Sequence, residues 1–149
     1  ICIVISTTGS SGVAKSVGIS ASALLASAKA SNKYLRAEFG NVWSLLLPLT
    51  HIAGINVLTR ALELGTDPID LRNFEGEYPK VDFTSIVPTQ LFRALNGDQR
   101  LLGHLKSAKT VLVGGAAGLI ITGSLRYGAL AAGAITGGVA AAAATKASG

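Results

Sequence analysis

Three residue classes are scarce in this 149-residue sequence: cysteine occurs once, aromatic residues make up 5% and charged residues 14%. The single thiol, Cys2, excludes an internal disulfide and is typical of a protein of the reducing cytoplasm. Because Cys2 lies in an apolar run, we expect it to be a buried structural thiol. The thirteen Lys and Arg residues are scattered and are not interleaved with aromatic residues, so the sequence does not indicate a nucleic-acid-binding surface.

Methionine is absent, and the amino terminus lacks the charged segment and cleavage pattern of a signal peptide. The sequence starts directly on an apolar run, so we expect it to be part of a longer chain. Hydrophobic residues make up 49% and the mean hydropathy is +0.49, as expected for an interior piece of a larger α/β protein. The net charge of +5 favours anionic ligands, nucleotides included.

Apolar runs alternate with segments of helical periodicity along most of the chain. They predict strands at residues 1–5, 42–47, 83–87 and 110–113, and helices at residues 21–35, 50–64, 88–95 and 98–106. Ser20 is a candidate N-cap of the first helix, and Gly65 is a candidate C-cap of the second. Strands that alternate with helices predict an α/β fold with a mostly parallel sheet and helices on both faces. Residues 1–149 are expected to form a single partial domain.

The composition changes at residue 117, beyond which Gly, Ala, Ile and Leu dominate and only Arg126 and Lys146 are charged. Residues 127–145 are uncharged over nearly the length of a membrane span, but Ala and Gly contribute little to insertion and no aromatic belt flanks them. We therefore expect this Gly/Ala-rich tail, residues 117–149, to form a helix and a strand inside the domain, in a register that the sequence leaves open. A membrane-associated protein is an alternative that rests on the tail alone.

A Gly-, Ser- and Thr-rich loop over residues 6–16 follows the first apolar run, which is predicted to be a strand buried on both faces. Its glycines permit close approach of the backbone to a ligand, its hydroxyl groups and backbone amides can bind oxyanions, and Lys15 adds a positive charge. Such a loop is typical of a phosphate site. The Walker pattern G-x-x-x-x-G-K-[ST] fits Gly9, Lys15 and Ser16, but Ala14 replaces the glycine before the lysine.

A second pattern, approximately [ST]-[ST]-G-[ST]-[ST]-G-x-P-K-G, matches the same loop at seven positions and is that of the adenylate-forming enzymes. Three downstream segments favour it. Residues 48–54 (PLTHIAG) resemble the P-x-x-H-x-x-G segment of acyl-CoA synthetases, in the form seen in o-succinylbenzoate–CoA ligases of menaquinone synthesis. Residues 85–91 (SIVPTQL) resemble their strand-to-helix passage, and residues 111–117 (VLVGGAA) resemble the turn that borders the adenine. No apolar strand of the sequence ends in the aspartate that a Walker loop needs for its metal.

Over residues 1–117 the sequence thus resembles the central part of the N-terminal AMP-binding domain of adenylate-forming acyl-CoA synthetases. The resemblance implies that a small-molecule carboxylate, such as o-succinylbenzoate, attacks the α-phosphate of ATP to give an acyl-adenylate, from which coenzyme A displaces AMP. The implied cofactors are ATP, Mg²⁺ and coenzyme A, and the implied catalytic residues are Lys15 and His51. The implied nucleotide-binding residues are Thr7, Thr8, Gly9, Ser10, Ser11, Gly12, Lys15, Gly114, Gly115, Ala116 and Thr145. His104 lies in no motif and is predicted to lie on the surface.

The tail departs from the Y-G-x-T-E pattern of this family. The best placement, residues 142–146, keeps Thr145 but has Lys146 where the family carries a metal-binding glutamate. An ammonium group only donates hydrogen bonds, so no metal ligand is predicted in this sequence. The C-terminal domain of the family, with its adenylation lysine, is also not in the sequence. We therefore expect a fragment without the full catalytic apparatus, and the alternative is a non-catalytic nucleotide-binding fragment or a degenerate relative.

Overall fold

The computed structural model describes residues 2–8, 12–114, 119–122, 126–135 and 138–145. The elements in chain order are β1 (Cys2–Thr8), β2 (Ala14–Ser20), α1 (Ala21–Tyr34), β3 (Trp43–Leu45), α2 (Ile52–Glu63), β4 (Ile69–Asp70), β5 (Phe83–Ile86), α3 (Pro88–Leu95), α4 (Gln99–Ser107), β6 (Thr110–Val113), β7 (Leu119–Thr122), β8 (Arg126–Ile135) and β9 (Gly138–Thr145).

Seven strands form one sheet in the order β4-β3-β5-β6-β7-β8-β9. The first four are parallel to one another. The chain returns to the start of the sheet through α2 between β3 and β4, through residues 71–82 between β4 and β5, and through α3 and α4 between β5 and β6. The strands β7, β8 and β9 extend this sheet by antiparallel pairing. The predicted α/β class is confirmed, with the parallel arrangement confined to four strands.

Helices cover both faces of the parallel strands, as predicted. One face packs against α2 through the buried residues Trp43, Leu45, Val57, Ala61, Leu64 and Phe83. The other face packs against α3 and α4 through Val81, Ile86, Ala94, Leu101, Leu105, Ala108, Val111 and Val113. Because successive side chains of a strand point to opposite faces, one strand contributes to both clusters: Phe83 of β5 to the first and Ile86 to the second.

The helix ends follow the capping residues. The Oγ of Ser20 accepts a hydrogen bond from the backbone N of Ala23 at 3.2 Å, so the predicted N-cap is confirmed. Leu64 is the C-cap residue of α2 and Gly65 follows it at φ +74°, a left-handed conformation in which glycine lacks the steric cost of a Cβ. Asp98 caps α4 by accepting from the backbone N of Leu101 at 3.0 Å.

The first strand is not buried on both faces, which corrects the sequence analysis. β1 pairs antiparallel with β2 as a separate two-stranded sheet, and the end of β1 and the start of β2 lie within residues 6–16, for which we predicted a loop. Only one face of this hairpin packs against the domain: Ile5 is 5% exposed, whereas Val4 is 67% exposed. Cys2 lies on the face of Val4 and is exposed, so the prediction of a buried thiol is wrong.

The helix predicted in the tail is also wrong. The described tail forms β7, β8 and β9. β8 pairs antiparallel with β9, from Gly128 opposite Thr145 to Ile135 opposite Gly138. A Gly/Ala-rich sequence has no apolar periodicity that would distinguish a helix from a strand, so cross-strand pairing decides its conformation. Among the residues that the structure describes, none of the helices combines the length and apolar character that crossing a membrane requires.

Candidate functional site

The carboxyl ends of β3, β5 and β6 lie along one edge of the parallel sheet. The register pairs Ser44 with Thr84 and Ile86 with Val113, so the chain leaves these strands at similar levels. The backbone N of Gly114 donates to the carbonyl oxygen of Ile86 at 2.8 Å and holds the end of β6 beside the end of β5. In open α/β sheets, ligands bind in the crevice outside this edge. Both the segment that contains His51 and Gly114, the residue after β6, therefore lie where such a crevice forms.

His51 is the N-cap residue of α2, in agreement with the predicted helix start. Its backbone is extended, with φ −115° and ψ 148°, and its side chain is exposed and makes no capping hydrogen bond. The backbone N of His51 donates to the carbonyl oxygen of Pro48 at 3.3 Å, and its own carbonyl oxygen accepts from Gly54 at 3.1 Å. The backbone is thus held on both sides, while the imidazole is available at the end of a helix whose dipole favours anions.

A side chain at Gly54, three residues after His51, is excluded for steric reasons. A Cβ at Gly54 would lie 2.2 Å from the carbonyl oxygen of Pro48 and 3.0 Å from that of Leu47. Only glycine therefore lets the first turn of α2 lie directly on the backbone that leaves β3. This contact explains the P-x-x-H-x-x-G spacing, because it determines how the histidine is presented.

The hairpin of β1 and β2 carries the described part of the predicted phosphate loop. Thr7 pairs with Lys15, and the Oγ1 of Thr7 donates to the carbonyl oxygen of Lys15 at 3.3 Å. By strand alternation these two residues share the face of Ile5. That face packs against α1 and α2 through Ile5, Leu24 and Ile55, with Ile3, Ile19 and Ile52 around them. The hairpin is thus joined to the first turns of α2, next to His51.

We expected Lys15 to lie in a loop before a helix, and the structure instead places it, exposed, in the strand β2. Thr8 is the last residue of β1 and pairs with Ala14, and Gly12 is exposed at φ +72°. Thr145 ends β9, where it pairs with Gly128. The other predicted site residues, and the Lys146 that replaces the family glutamate, lie outside the described residues: Gly9, Ser10, Ser11, Gly115, Ala116 and Lys146.

A cavity of about 570 Å³ lies at the same edge, between the segment before His51 and the start of α3. Thr50 and Gln90 provide uncharged polar groups, and Arg72 and Arg93 provide two cations. Both arginines are ion-paired: Arg72 with Asp70 at 2.7 Å and Arg93 with Asp98 at 3.0 Å. The hydrogen bonds from Arg72 lower the pKa of Asp70 to about 2, so this pair stays charged at neutral pH.

His104 is buried, with 3% of its surface exposed, so the prediction that it lies on the surface is wrong. It lies on the face of α4 that packs on the sheet, together with Leu101 and Leu105. Its Nε2 is 2.8 Å from the Oγ of Ser44, which donates to the Oγ1 of Thr84 at 2.7 Å. Burial lowers the pKa of His104 and so favours the neutral imidazole, whose Nε2–H can donate to the Oγ of Ser44. A second cavity, of about 720 Å³, lies beside His104 between α4 and residues 76–80.

Two further residues at these elements were not singled out from the sequence. Gln90 connects the ends of β3 and β5 through its side-chain amide. Arg60 is 4% exposed on α2, with its guanidinium carbon 5.4 Å from the centre of the Trp43 ring, and burial lowers its pKa to about 10. In the sequence, the burial of Arg60 could have been inferred from its position one turn after Val57, which puts a charged residue on the apolar face of a helix.

Within the described ranges, no group of three or more His, Cys, Asp or Glu side chains could hold a metal ion. What this part of the chain offers to a nucleotide is cations, hydroxyl groups and backbone amides.

Comparison with known proteins relates this arrangement to one group of enzymes. No model of a known protein family matches the chain. The chain is 33% identical over 127 residues to a probable 2-succinylbenzoate–CoA ligase of Mycobacterium tuberculosis, a match that covers 77% of this chain and 32% of that protein. It is 33% identical over 113 residues to the 2-succinylbenzoate–CoA ligase of Haemophilus influenzae, which covers 74% of this chain and 25% of that protein. The chain thus spans a quarter to a third of the length of these relatives.

Solved structures agree in fold. An E. coli MenE variant with bound OSB-AMS matches with a TM-score of 0.60 and 29% identity, over 76% of this chain and 25% of that chain. The Bacillus subtilis O-succinylbenzoate coenzyme A synthetase in complex with AMP matches with a TM-score of 0.60 and 24% identity, over 75% of this chain and 30% of that chain. The chain is therefore similar in sequence to part of the 2-succinylbenzoate–CoA ligases and similar in fold to part of the solved MenE structures.

Proposed function

We propose that the chain is the central part of the N-terminal AMP-binding domain of an ATP-dependent acid–thiol ligase, specifically a 2-succinylbenzoate–CoA ligase of the cytoplasm. The proposal depends on one observation: the chain is 33% identical to such a ligase over 77% of its length. The fold supports it, because the His51 segment and the turn at Gly114 share one sheet edge and the hairpin that carries Lys15 packs against α2.

The proposed reaction has two steps. The carboxylate of the substrate attacks the α-phosphate of ATP, forming an acyl-adenylate and releasing pyrophosphate, and the thiol of coenzyme A then displaces AMP. Mg²⁺, when bound, would supply further neutralisation of phosphate charge. The main task of the protein is to bring two anions together, since the carboxylate and the triphosphate repel each other.

Roles follow for the residues at the site. Lys15, the hydroxyl groups of Thr7 and Thr8 and the loop of residues 9–12 bind the β- and γ-phosphates, and each well-placed donor contributes about 3–4 kcal/mol. His51 acts near the acyl group and the adenylate. Gly114, Gly115 and Ala116 border the adenine, and Thr145 contacts phosphate.

A non-catalytic nucleotide-binding relative is the second candidate. Three departures from the family loop and tail favour it: Ala14 stands in place of a proline, Ser16 in place of the last glycine of the loop, and Lys146 in place of the metal-binding glutamate. Such a protein would bind ATP but would not form the acyl-adenylate.

The deciding experiment is acid-quenched formation of labelled acyl-AMP from ATP and 2-succinylbenzoate, with the full-length protein that carries this sequence. The ligase proposal predicts acyl-AMP formation, and ATP binding without acyl-AMP would establish the non-catalytic alternative. His51→Ala should lower acyl-AMP formation tenfold or more, about 1.4 kcal/mol or more in the barrier, and leave ATP affinity within about twofold. Gln99→Ala, an exposed residue at the start of α4, is the matched control. Equal loss of ATP binding and acyl-AMP formation in His51→Ala would show that His51 supports the fold instead.

A further inference from the structure

Gln90 occupies a place in α3 where its side chain can serve two backbones. It is the third residue of α3, after Pro88 and the N-cap Val87. The backbone N of Val87 donates to the Oε1 of Gln90 at 3.0 Å, and the Nε2 of Gln90 donates to the carbonyl oxygen of Leu46 at 3.1 Å. The first bond is the glutamine half of a capping box, which closes the helix start. The second leaves the helix and reaches the strand β3.

The bond to Leu46 lies where the sheet itself no longer connects β3 to β5. The backbone ladder between these strands contains only the pairs Trp43–Phe83 and Ser44–Thr84. On its other side β5 remains paired with β6 as far as Ile86 and Val113. The ladder between β3 and β5 thus stops two residues before β5 ends, and the Gln90 amide bridges the resulting gap.

The backbone held by Gln90 leads to His51 in five residues. Leu47 is buried, and the carbonyl oxygen of Pro48 accepts from the backbone N of His51 at 3.3 Å. Gly54 packs directly against the same carbonyl group. A displacement of Leu46 is therefore transmitted to the N-cap of α2 and cannot be absorbed by a flexible loop.

We propose that Gln90 is a positioning residue for His51: its amide ties the exit of β3 to the start of α3 and so sets the position of the imidazole at the sheet edge. The expected effect of Gln90 on kcat rests on the proposed ligase function. Its expected effect on the position of the His51 segment does not depend on that function. Gln90 is half-buried beside the 570 Å³ cavity and is not part of the apolar clusters, so its replacement leaves the core packing intact.

One substitution separates the two hydrogen bonds. Gln90→Glu keeps an acceptor for the backbone N of Val87 but cannot donate to Leu46, because an ionised carboxylate only accepts. Gln90→Met removes both hydrogen bonds without adding charge and serves if the glutamate variant does not fold. Gln99→Glu is the matched control, since it makes the same chemical change at an exposed position in the first turn of α4.

The direct readout is amide hydrogen exchange in the full-length protein. In Gln90→Glu and Gln90→Met we expect exchange three- to tenfold faster at the backbone amides of His51 and Gly54, the range for loss of one net hydrogen bond. The backbone amide of Leu102 in α4, which donates to the carbonyl oxygen of Asp98 at 2.9 Å, should exchange at the wild-type rate in these variants. Gln99→Glu should leave the exchange rates of His51, Gly54 and Leu102 unchanged. Rates at His51 and Gly54 within twofold of the wild type would overturn the proposal.

The kinetic readout distinguishes positioning from a purely structural role. In the acyl-AMP assay, kcat should fall three- to tenfold in both Gln90 variants while the KM for ATP stays within twofold. An unchanged kcat, or a KM that rises as much as kcat falls, would overturn the positioning role. If the wild-type protein forms no acyl-AMP, the ligase function fails, and the exchange rates alone decide whether Gln90 holds the His51 segment.

Discussion

Replacing Gly54 with alanine should destabilise the protein, although alanine is the better helix former. Gly54 is buried in the first turn of α2, where a Cβ would lie 2.2 Å from the carbonyl oxygen and 2.8 Å from the carbonyl carbon of Pro48. These are backbone atoms of a segment that ends a buried strand, so they cannot turn away as a flexible side chain would. The helix and the strand exit must instead separate by about an ångström.

Two opposing free-energy contributions set the size of the destabilisation by Gly54→Ala. Alanine gains about 1 kcal/mol over glycine in a helix interior. Overpacking a well-packed contact typically costs about 1–3 kcal/mol, and the upper part of this range applies because the displaced atoms are backbone. The net loss should be about 2 kcal/mol, or about 4–8 °C in Tm for a domain of this size.

Gly103→Ala is the matched control, because Gly103 is also helical but nothing lies within 4 Å of its Cβ position. It should stabilise the protein by about 0.5–1 kcal/mol through helix propensity alone. Urea unfolding of both variants and the wild type, analysed with a common m-value, measures the two shifts. A Gly54→Ala protein as stable as the wild type would refute the close contact, and destabilisation by Gly103→Ala would refute the reasoning from propensity.

Two further outcomes follow from His104 and Lys15. Burial holds the pKa of His104 below its ordinary value, so on acidification the unfolded chain binds a proton before the folded protein does. The free energy of unfolding should therefore be at its full value above about pH 6.5 and should decrease as the pH falls from there towards the pKa of His104 in the folded protein. His104→Gln should flatten this part of the curve of urea midpoint against pH, and parallel curves would contradict the assignment. Lys15→Ala should weaken ATP binding roughly tenfold, as for loss of one charged hydrogen bond, whereas Lys29→Ala on the exposed side of α1 should not. Equal affinities in titration calorimetry would exclude Lys15 from the phosphate site.

The elements with strong local signals were predictable from the sequence. The apolar runs at residues 83–87 and 110–113 form β5 and β6, and the periodic segment after His51 forms α2 with Gly65 beyond its end. These segments could be predicted because their apolar spacing and capping residues favour the same conformation that the tertiary contacts require. The resemblance of the motifs to acyl-CoA synthetases also pointed to the relatives that comparison found.

The candidate site was only partly predictable. The motifs made Lys15, His51 and Gly114 candidates, since glycine, lysine and histidine at fixed spacing are local signals. Gln90 lies in the SIVPTQL segment that carried the resemblance, but the sequence assigned it no role, because its hydrogen bond is to Leu46, 44 residues away in sequence. His104 was misplaced for the same reason: its burial depends on Ser44, 60 residues away.

The sequence alone predicted the α/β class, the four described helices, three of the four parallel strands (β3, β5 and β6) and the order of the motifs along the chain. Long-range contacts were needed to show that β4 joins the parallel strands, that β1 belongs to a separate hairpin with one exposed face, and that the described Gly/Ala-rich tail adds antiparallel strands to the sheet. Hydrophobic spacing reports which residues prefer to be buried, but not which surface will cover them. Whether one face of a strand or both are covered, and whether alanines pair across strands or coil into a helix, depends on partners distant in the chain.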